Sequence, residues 1–457
     1  MSTKQEYLGG ENFDLRDILL RGRRMPLADR VNFFGEFLES LSSNKQMLHL
    51  RCISSPSDRE VDVYDEYLGI TRKMLMFGSN NYLGFANHPY IKEYVKSTIE
   101  KYGIGIGGPP LLNGYTKIHK ELEERLASLK GAEDALIFSS GYGANVGLVS
   151  ALVGPDDYVV YDQYSHASFY DGLKMCNARG IHFLHNNVEN LKAKLEDAIK
   201  INPKNIYVGV EGVYSMDGDI APLDEIVAVC KQYDAILLVD DAHGTGTIGN
   251  HGGGSGDYFG LENEIDITMG TFSKSFSVTG GFVTASKPIV DYLRFFARSY
   301  MFSASISPIT IASVLAGLDL LENDPSILNS LRNNVKYAAS LLNRIGFNVA
   351  SETPIIPLRV PMEMNIRDAA YKFHERGIFI NSIEYPAVPV SQQRFRISIT
   401  ASHTKEDINK LAEVVEEIWT EYESDRFESK ILKAMWVKQK RTMIKWKSKI
   451  NLNQNFW

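Results

Sequence analysis

Ile236-Leu237-Leu238-Val239-Asp240-Asp241-Ala242-His243-Gly244 decides the fold. Four apolar residues, the length of a short buried strand, run straight into two carboxylates and a histidine. About thirty residues later comes Met269-Gly270-Thr271-Phe272-Ser273-Lys274-Ser275. A strand-end carboxylate, a histidine and a lysine set among hydroxyls are the parts that a pyridoxal phosphate (PLP) site requires. The lysine forms a Schiff base, the carboxylate keeps the pyridine nitrogen protonated, and the ring draws charge from a carbanion. Taken alone, each part has a plainer reading. Lys274 reads as solvated surface, and Asp240 to His243 as a polar loop or a metal site. The metal reading lacks further clustered ligands, so no metal is expected.

Similar short apolar runs recur from about 71 to 310: Ala135–Phe138, Tyr158–Tyr161, Ile206–Val210 and Gly281–Thr284. Helical or polar stretches separate most of them, which predicts a mainly parallel sheet covered on both faces. Ligands on such sheets lie beyond the carboxyl ends of the strands. Ser139-Ser140-Gly141-Tyr142-Gly143-Ala144-Asn145 stands at one such end and opens a helical pattern. Its backbone N–H groups suit a phosphate dianion, unless the stretch is simply a small-residue turn. Thr271 and Ser273 offer hydroxyls to the same phosphate, and Ser303, in Met301-Phe302-Ser303-Ala304-Ser305, offers another. His166, in Tyr164-Ser165-His166-Ala167-Ser168, either stacks on the cofactor ring or is structural. Ser215 follows the strand at Ile206–Val210 and is placed to bond the cofactor or the reacting carbonyl. Asp240 faces the pyridinium N–H in this scheme, and His243 reaches the phenolate oxygen.

The chain of 457 residues predicts two or three packed units, and 44% hydrophobic with 23% charged residues is ordinary for a globular enzyme. A net charge of -7 gives no reason to expect a nucleic-acid partner. Cys52, Cys176 and Cys230 show no paired spacing, against a disulfide framework or structural zinc. The polar N-terminus and the lack of a long apolar run lead to a cytoplasmic expectation. Residues 1–70 read as an N-terminal arm with helical pieces and a basic stretch, Arg21 to Arg24. A large PLP-binding α/β domain is expected over 71–325 and a smaller α+β domain over 326–425. The latter has a helix at Asn329–Ile345, a strand at Phe395–Ile399 and a helix over 405–424. Residues 426–457 form a basic tail, with eight Lys or Arg and no acidic residue from Ser429 onward. Leu432, Met435, Trp436, Met443, Trp446 and Ile450 share one helical face, with lysines off it. Such a helix docks on protein or lies on the anionic inner face of a membrane, giving peripheral contact through 429–457.

Five motifs occur in order: Asn80-Asn81-Tyr82-Leu83-Gly84, Ser165-His166-Ala167-Ser168, Ser215-Met216-Asp217-Gly218-Asp219, Asp240-Asp241-Ala242-His243-Gly244 and Thr271-Phe272-Ser273-Lys274-Ser275. On these the chain resembles the α-oxoamine synthase family of fold-type I PLP enzymes, over about 71 to 420. Leu75–Ser79, Ala297–Ser305 and Pro386-Ala387-Val388-Pro389 look closest to the bacterial serine palmitoyltransferases. The resemblance implies Lys274 as the Schiff-base lysine, Asp240 as partner of the pyridine nitrogen, His243 of the phenolate oxygen, and His166 as the stacking ring. It implies phosphate contacts from Gly141, Tyr142, Thr271 and Ser273, with Ser303 given by the neighbouring subunit of a homodimer. Arg396 then grips the amino-acid carboxylate, with Asn81 near the same substrate.

The implied reaction condenses an amino acid with a long-chain acyl thioester, on coenzyme A or acyl carrier protein, with loss of CO2. Serine is favoured, giving an α-amino ketone for sphingoid-type lipids. Cysteate, glycine and alanine are the alternatives; a different PLP reaction or a non-catalytic anchoring subunit ranks below them. One departure bears on the substrate. Pro109-Pro110 stands where most relatives carry Ser-Arg or Val-Arg, removing a charge and fixing the backbone.

Overall fold

The computed structural model describes residues 15–427, so the tail over 429–457 lies outside the described residues. At the centre is a seven-stranded sheet. Its strands are Asp134–Phe138 (β1), Tyr158–Asp162 (β2), Arg179–Phe183 (β3), Ile206–Glu211 (β4), Ile236–Asp240 (β5), Ile267–Thr271 (β6) and Gly281–Ala285 (β7). They lie in the order β1-β7-β6-β5-β4-β2-β3. β7 runs antiparallel to both of its neighbours, while the pairings from β6 through β3 are parallel. The carboxyl ends of β1, β2, β4, β5 and β6 therefore meet along one edge, and the motifs that hold Ser140, His166, Ser215, His243 and Lys274 each follow one of them.

Apolar runs form these strands because both faces are covered. All six residues of β4 and all five of β7 are buried. Helices Gly141–Leu152 and Ala167–Cys176 contribute Leu148, Val149 and Phe169 to one face, against Leu238 and Met269. Helices Val188–Ile199 and Leu223–Gln232 contribute Leu191, Leu195, Ile226 and Val227 to the other, against Val208 and Val239. β3 and β6 went unpredicted. In β3 only Phe183 is fully buried, as suits an edge strand, so no apolar run marks it. β6 is short and carries Gly270, so it reads as the approach to Lys274 rather than as a strand.

A three-stranded antiparallel sheet, Ile355–Arg359, Arg394–Ser398 and Asn381–Ile383, has Arg394–Ser398 in its middle. Helix Pro325–Arg344, helix Ile366–Glu375 and a helix over 405–427 supply its covering core residues. Before the large sheet, Cys52–Ile53, Glu60–Asp65 and Ile70–Met76 form a second small sheet, completed by Ile378–Phe379. The expected arm over 1–70 thus contains strands as well as helices, and Glu60–Asp65 within it pairs with Ile70–Met76. That strand delivers Asn80, Asn81 and Tyr82 to the large sheet's carboxyl edge. Helix Pro308–Asn323 is buried nearly all round, with Ile311, Val314, Leu315 and Leu318 in the core shared with Phe276 and Leu328. A helix apolar on every side belongs in such an interior position.

Candidate active site

Beyond β1, Ser140 caps helix Gly141–Leu152 by accepting the Gly143 N–H at 2.9 Å. Gly141 packs directly on the end of β6. A Cβ placed on it would stand 2.8 Å from Thr271 Oγ1 and 2.9 Å from Thr271 Cβ. Thr271 Oγ1 lies 2.9 Å from Ser273 Oγ and donates to the Gly280 carbonyl at 2.9 Å. A helix N-terminus and two hydroxyls thus converge on one point, a donor set for a phosphate dianion once the Thr271 proton turns from the Gly280 carbonyl. Tyr142 is half exposed, with its hydroxyl donating to Asp171 and its ring edge-on to His166 at 6.4 Å.

Asp240 ends β5 and is held from two sides. Asn145 Nδ2 donates to its Oδ2 at 2.7 Å, and the Ala242 N–H donates to its Oδ1 at 3.1 Å. Asn145 also donates to Ser168 Oγ at 3.0 Å. His166 caps helix Ala167–Cys176; its Nδ1 accepts from the Ser168 N–H, leaving the neutral ring's proton on Nε2. Loss of solvent around the ring lowers the His166 pKa; Asp240 opposes this and Lys274 adds to it. Burial, reinforced by Lys274, Arg396 and His166, holds His243 well below the ordinary histidine range, so it is neutral. Its Nδ1 lies 2.9 Å from the hydroxyl of the fully buried Tyr82.

Lys274 follows β6 into the same cleft. Burial lowers its amine to a pKa of about 8, against the opposing charge of Asp240, so a neutral fraction exists near neutral pH. The cleft has a volume of about 320 Å³, and its walls include Gly141, Tyr142, Asp240, His243, Thr271, Ser273 and Lys274. A second cavity of about 410 Å³ adjoins it, between Tyr164, Tyr214 and Met216 on one side and Pro386 to Pro389 on the other. Three residues line both spaces: His166, Glu211 and Ser215.

Three expected residues lie off the cleft wall. Arg396 is buried on the middle strand of the three-stranded sheet. It donates to the Ser215 carbonyl at 2.6 Å, Asn80 Oδ1 at 2.8 Å, Ser398 Oγ at 3.0 Å and the Tyr82 hydroxyl at 3.0 Å. A guanidinium has five N–H groups, so one remains for an incoming carboxylate unless Asn80 or Tyr82 gives way. Asn81 is buried, and its Oδ1 accepts from Ser277 Oγ at 2.7 Å and the Ala86 N–H at 3.2 Å. Its neighbour Asn80 is the asparagine that touches Arg396. Ser303 lines a separate recess with Pro110 and His119, next to the Pro109-Pro110 departure. Sequence reading missed Asn145, Tyr82, Asn80 and Glu211 as members of the site. Glu211 alone carried a local signal, as a carboxylate ending a strand beside Asp240.

Comparison with known proteins agrees with this geometry. A family model for class I and II aminotransferases matches residues 72–415. The serine palmitoyltransferase of Sphingobacterium spiritivorum is 37% identical over 398 residues, 87% of this chain and 98% of that protein. The 8-amino-7-oxononanoate synthase of Petrotoga mobilis is 36% identical over 375 residues, 82% of this chain and 94% of that one. A solved structure of SPT with a PLP internal aldimine superposes with a TM-score of 0.80 at 32% identity, covering 86% of this chain and 98% of that one. The chain belongs to the class I and II aminotransferase family and, within it, to the α-oxoamine synthases. It is a PLP-dependent acyltransferase that condenses an amino acid with an acyl thioester. Its residues fit the cofactor, since the cradle at Gly141 would be filled by any Cβ and a carboxylate, a neutral imidazole and an amine line one cleft.

Behind the second cavity, His185 bridges two carboxylates, Asp162 at 3.1 Å and Asp219 at 2.8 Å, and packs on Tyr164 and Tyr214. Burial by itself lowers the His185 pKa, but the bonds and charges of the two aspartates outweigh it and hold the group at about 9. A folded-state value raised above the unfolded 6.5 gives stability that is complete below pH 6.5 and lost as pH rises through about 9. The contribution is on the order of 3 kcal/mol. Thermal midpoints of wild type and His185→Asn should differ clearly at pH 6 and converge near pH 10. A constant difference across that range would mean that the histidine is neutral when folded.

Proposed function

We propose that the amino acid is serine and the second substrate a long-chain acyl thioester, joined with loss of CO2 to give an α-amino ketone for sphingoid-type lipids. The observation that carries this reading is the pair of adjoining cavities. One holds Lys274 and the cofactor-binding groups; the other, with aromatic and proline-rich walls, suits an apolar chain. The similarity to serine palmitoyltransferases supports serine. Similarity of almost the same strength to 8-amino-7-oxononanoate synthases favours, as the second reading, the same condensation with another amino acid and a shorter chain.

In this scheme Gly141, Tyr142, Thr271 and Ser273 bind the phosphate, and Ser215 bonds the cofactor at the boundary of the two cavities. Bound there, PLP supplies an electron sink for charge developed at the amino acid's α-carbon. Asp240, fixed by Asn145, keeps a proton on the ring nitrogen. His243, neutral and oriented by Tyr82, offers a hydrogen bond to the phenolate oxygen. Arg396 receives the substrate carboxylate, with Asn80 and Asn81 at its side. The Lys274 amine takes the α-proton. His166 covers the ring and turns Nε2–H toward oxygen charge formed during condensation.

Ser303 completes the cradle of a second subunit in a homodimer. The large apolar side chains of Leu112 and Phe302, close in sequence to the recess residues Pro110 and Ser303, stand 82% and 71% exposed, which supports a surface that a partner covers. Visible-absorption titration with serine, cysteate, glycine and alanine tests the substrate. A saturable change in the cofactor band with serine alone is expected; a response to alanine and none to serine would replace the first reading by the second.

A further inference from the structure

Glu211 has no part in the scheme above, yet it stands at its centre. It ends β4 directly opposite Asp240 of β5 in the parallel register. It is 4% exposed, and of the three residues that line both cavities it is the one carboxyl. The neighbouring carboxylate is provided for: Asp240 receives Asn145 Nδ2 and the Ala242 N–H. No described lysine, arginine or histidine forms a contact ion pair with Glu211. Burial pushes its carboxyl well above the ordinary range and the Asp240 charge pushes it further; Lys274 and the Ser215 N–H oppose them only in part. Two carboxyls side by side do not both ionise readily, and the one with fewer donors is the one that keeps its proton. Glu211 is then an O–H donor at the partition between the amino-acid side and the acyl side.

We propose that Glu211 is a catalytic residue of the condensation, donating its carboxyl O–H to the thioester's carbonyl oxygen where the two cavities meet. The inference rests on the acyl-thioester reading above. A C–C bond forms from the amino acid's α-carbon to the carbonyl carbon, and the C=O pair moves onto oxygen. That oxyanion is held by Glu211 O–H and His166 Nε2–H, two donors on the shared wall, and neither gives up its proton. The pair then returns, the C–S bond breaks, and the departing thiolate takes up a proton from water. A preorganised donor of this kind contributes about 10²–10³ in kcat.

The two stages can be read separately with the holoenzyme. Exchange of the amino acid's α-proton in D2O, without thioester, follows the first. Thiol release with an acyl-coenzyme A follows both. Glu211→Leu should keep the cofactor absorption band and exchange within a few fold, while thiol release falls by at least about 100-fold in kcat. Glu211→Gln, whose amide also donates, should recover most of that loss and flatten the alkaline limb of the wild-type pH profile. The glutamine variant decides the matter alone if the leucine variant does not fold. Wild-type thiol release by Glu211→Leu, an equal fall in both stages, or a glutamine variant no better than leucine would each overturn the assignment. Absence of thiol release by the wild type itself marks a different failure: it removes the acyl-thioester reading, and this role with it.

Discussion

Lys274→Ala is expected to give a folded protein that carries no cofactor absorption band from a covalent link and turns over at least about 10⁴-fold more slowly. The size follows from what one side chain does twice. In the proposed scheme its amine takes the cofactor's carbonyl, and the same amine removes the α-proton. The amine suits both tasks because burial lowers its pKa to about 8, while the Asp240 charge keeps it from falling further. Stability should not suffer, since burial makes the ammonium form costly and alanine removes that cost. The thermal midpoint should therefore stay the same or rise, which separates lost chemistry from lost folding. Added methylamine should restore a small part of proton exchange. Thiol release near the wild-type rate would remove Lys274 from the mechanism.

The parts of this site that the sequence discloses are those encoded locally. Asp240 and His243 stand three residues apart after an apolar run, and Thr271, Ser273 and Lys274 share one turn, so spacing alone joins them. The supporting contacts are not local. Asn145 meets Asp240 across 95 positions, Tyr82 meets His243 across 161, and Arg396 meets Asn80 across 316. No periodicity connects such pairs; the sheet order does, by bringing the carboxyl ends of β1, β5 and β6 to one edge, with β7 between β1 and β6. The strands show the same limit. β4 and β5 announce themselves because burial on both faces demands continuous apolar residues. β3 lies at the sheet's edge as Arg179-Gly180-Ile181-His182-Phe183, where half the surface is free to be polar. The reversed direction of β7 depends on its pairing with β1 and β6, which its five residues do not record.

Lys130→Ala is expected to destabilise the protein by about 3–5 kcal/mol although the residue lies outside the cleft. Lys130 ends helix Lys117–Lys130, and its Nζ donates to Asp241 Oδ2 at 2.6 Å, Thr245 Oγ1 at 2.8 Å and the Gly253 carbonyl at 2.7 Å. Both charged side chains are almost wholly buried, at 4% and 1% exposure. All three ammonium protons therefore have acceptors, and Asp241 gains the Ser255 N–H as well. Removing the lysine leaves a carboxylate in a dry interior with one backbone donor, which is the costly half of a broken buried pair. Replacing both partners, as in Lys130→Met with Asp241→Leu, should cost less than the single change, because no charge is then left unpaired. Asp241 follows Asp240 directly and opens the loop that carries His243, so the ion pair also fixes the backbone that carries both groups to the cleft. Denaturant midpoints should order the proteins wild type, double variant, single variant, and cofactor affinity should fall with the single variant. A loss under about 1 kcal/mol in Lys130→Ala would mean that water reaches Asp241 and that the loop is held by its backbone bonds instead.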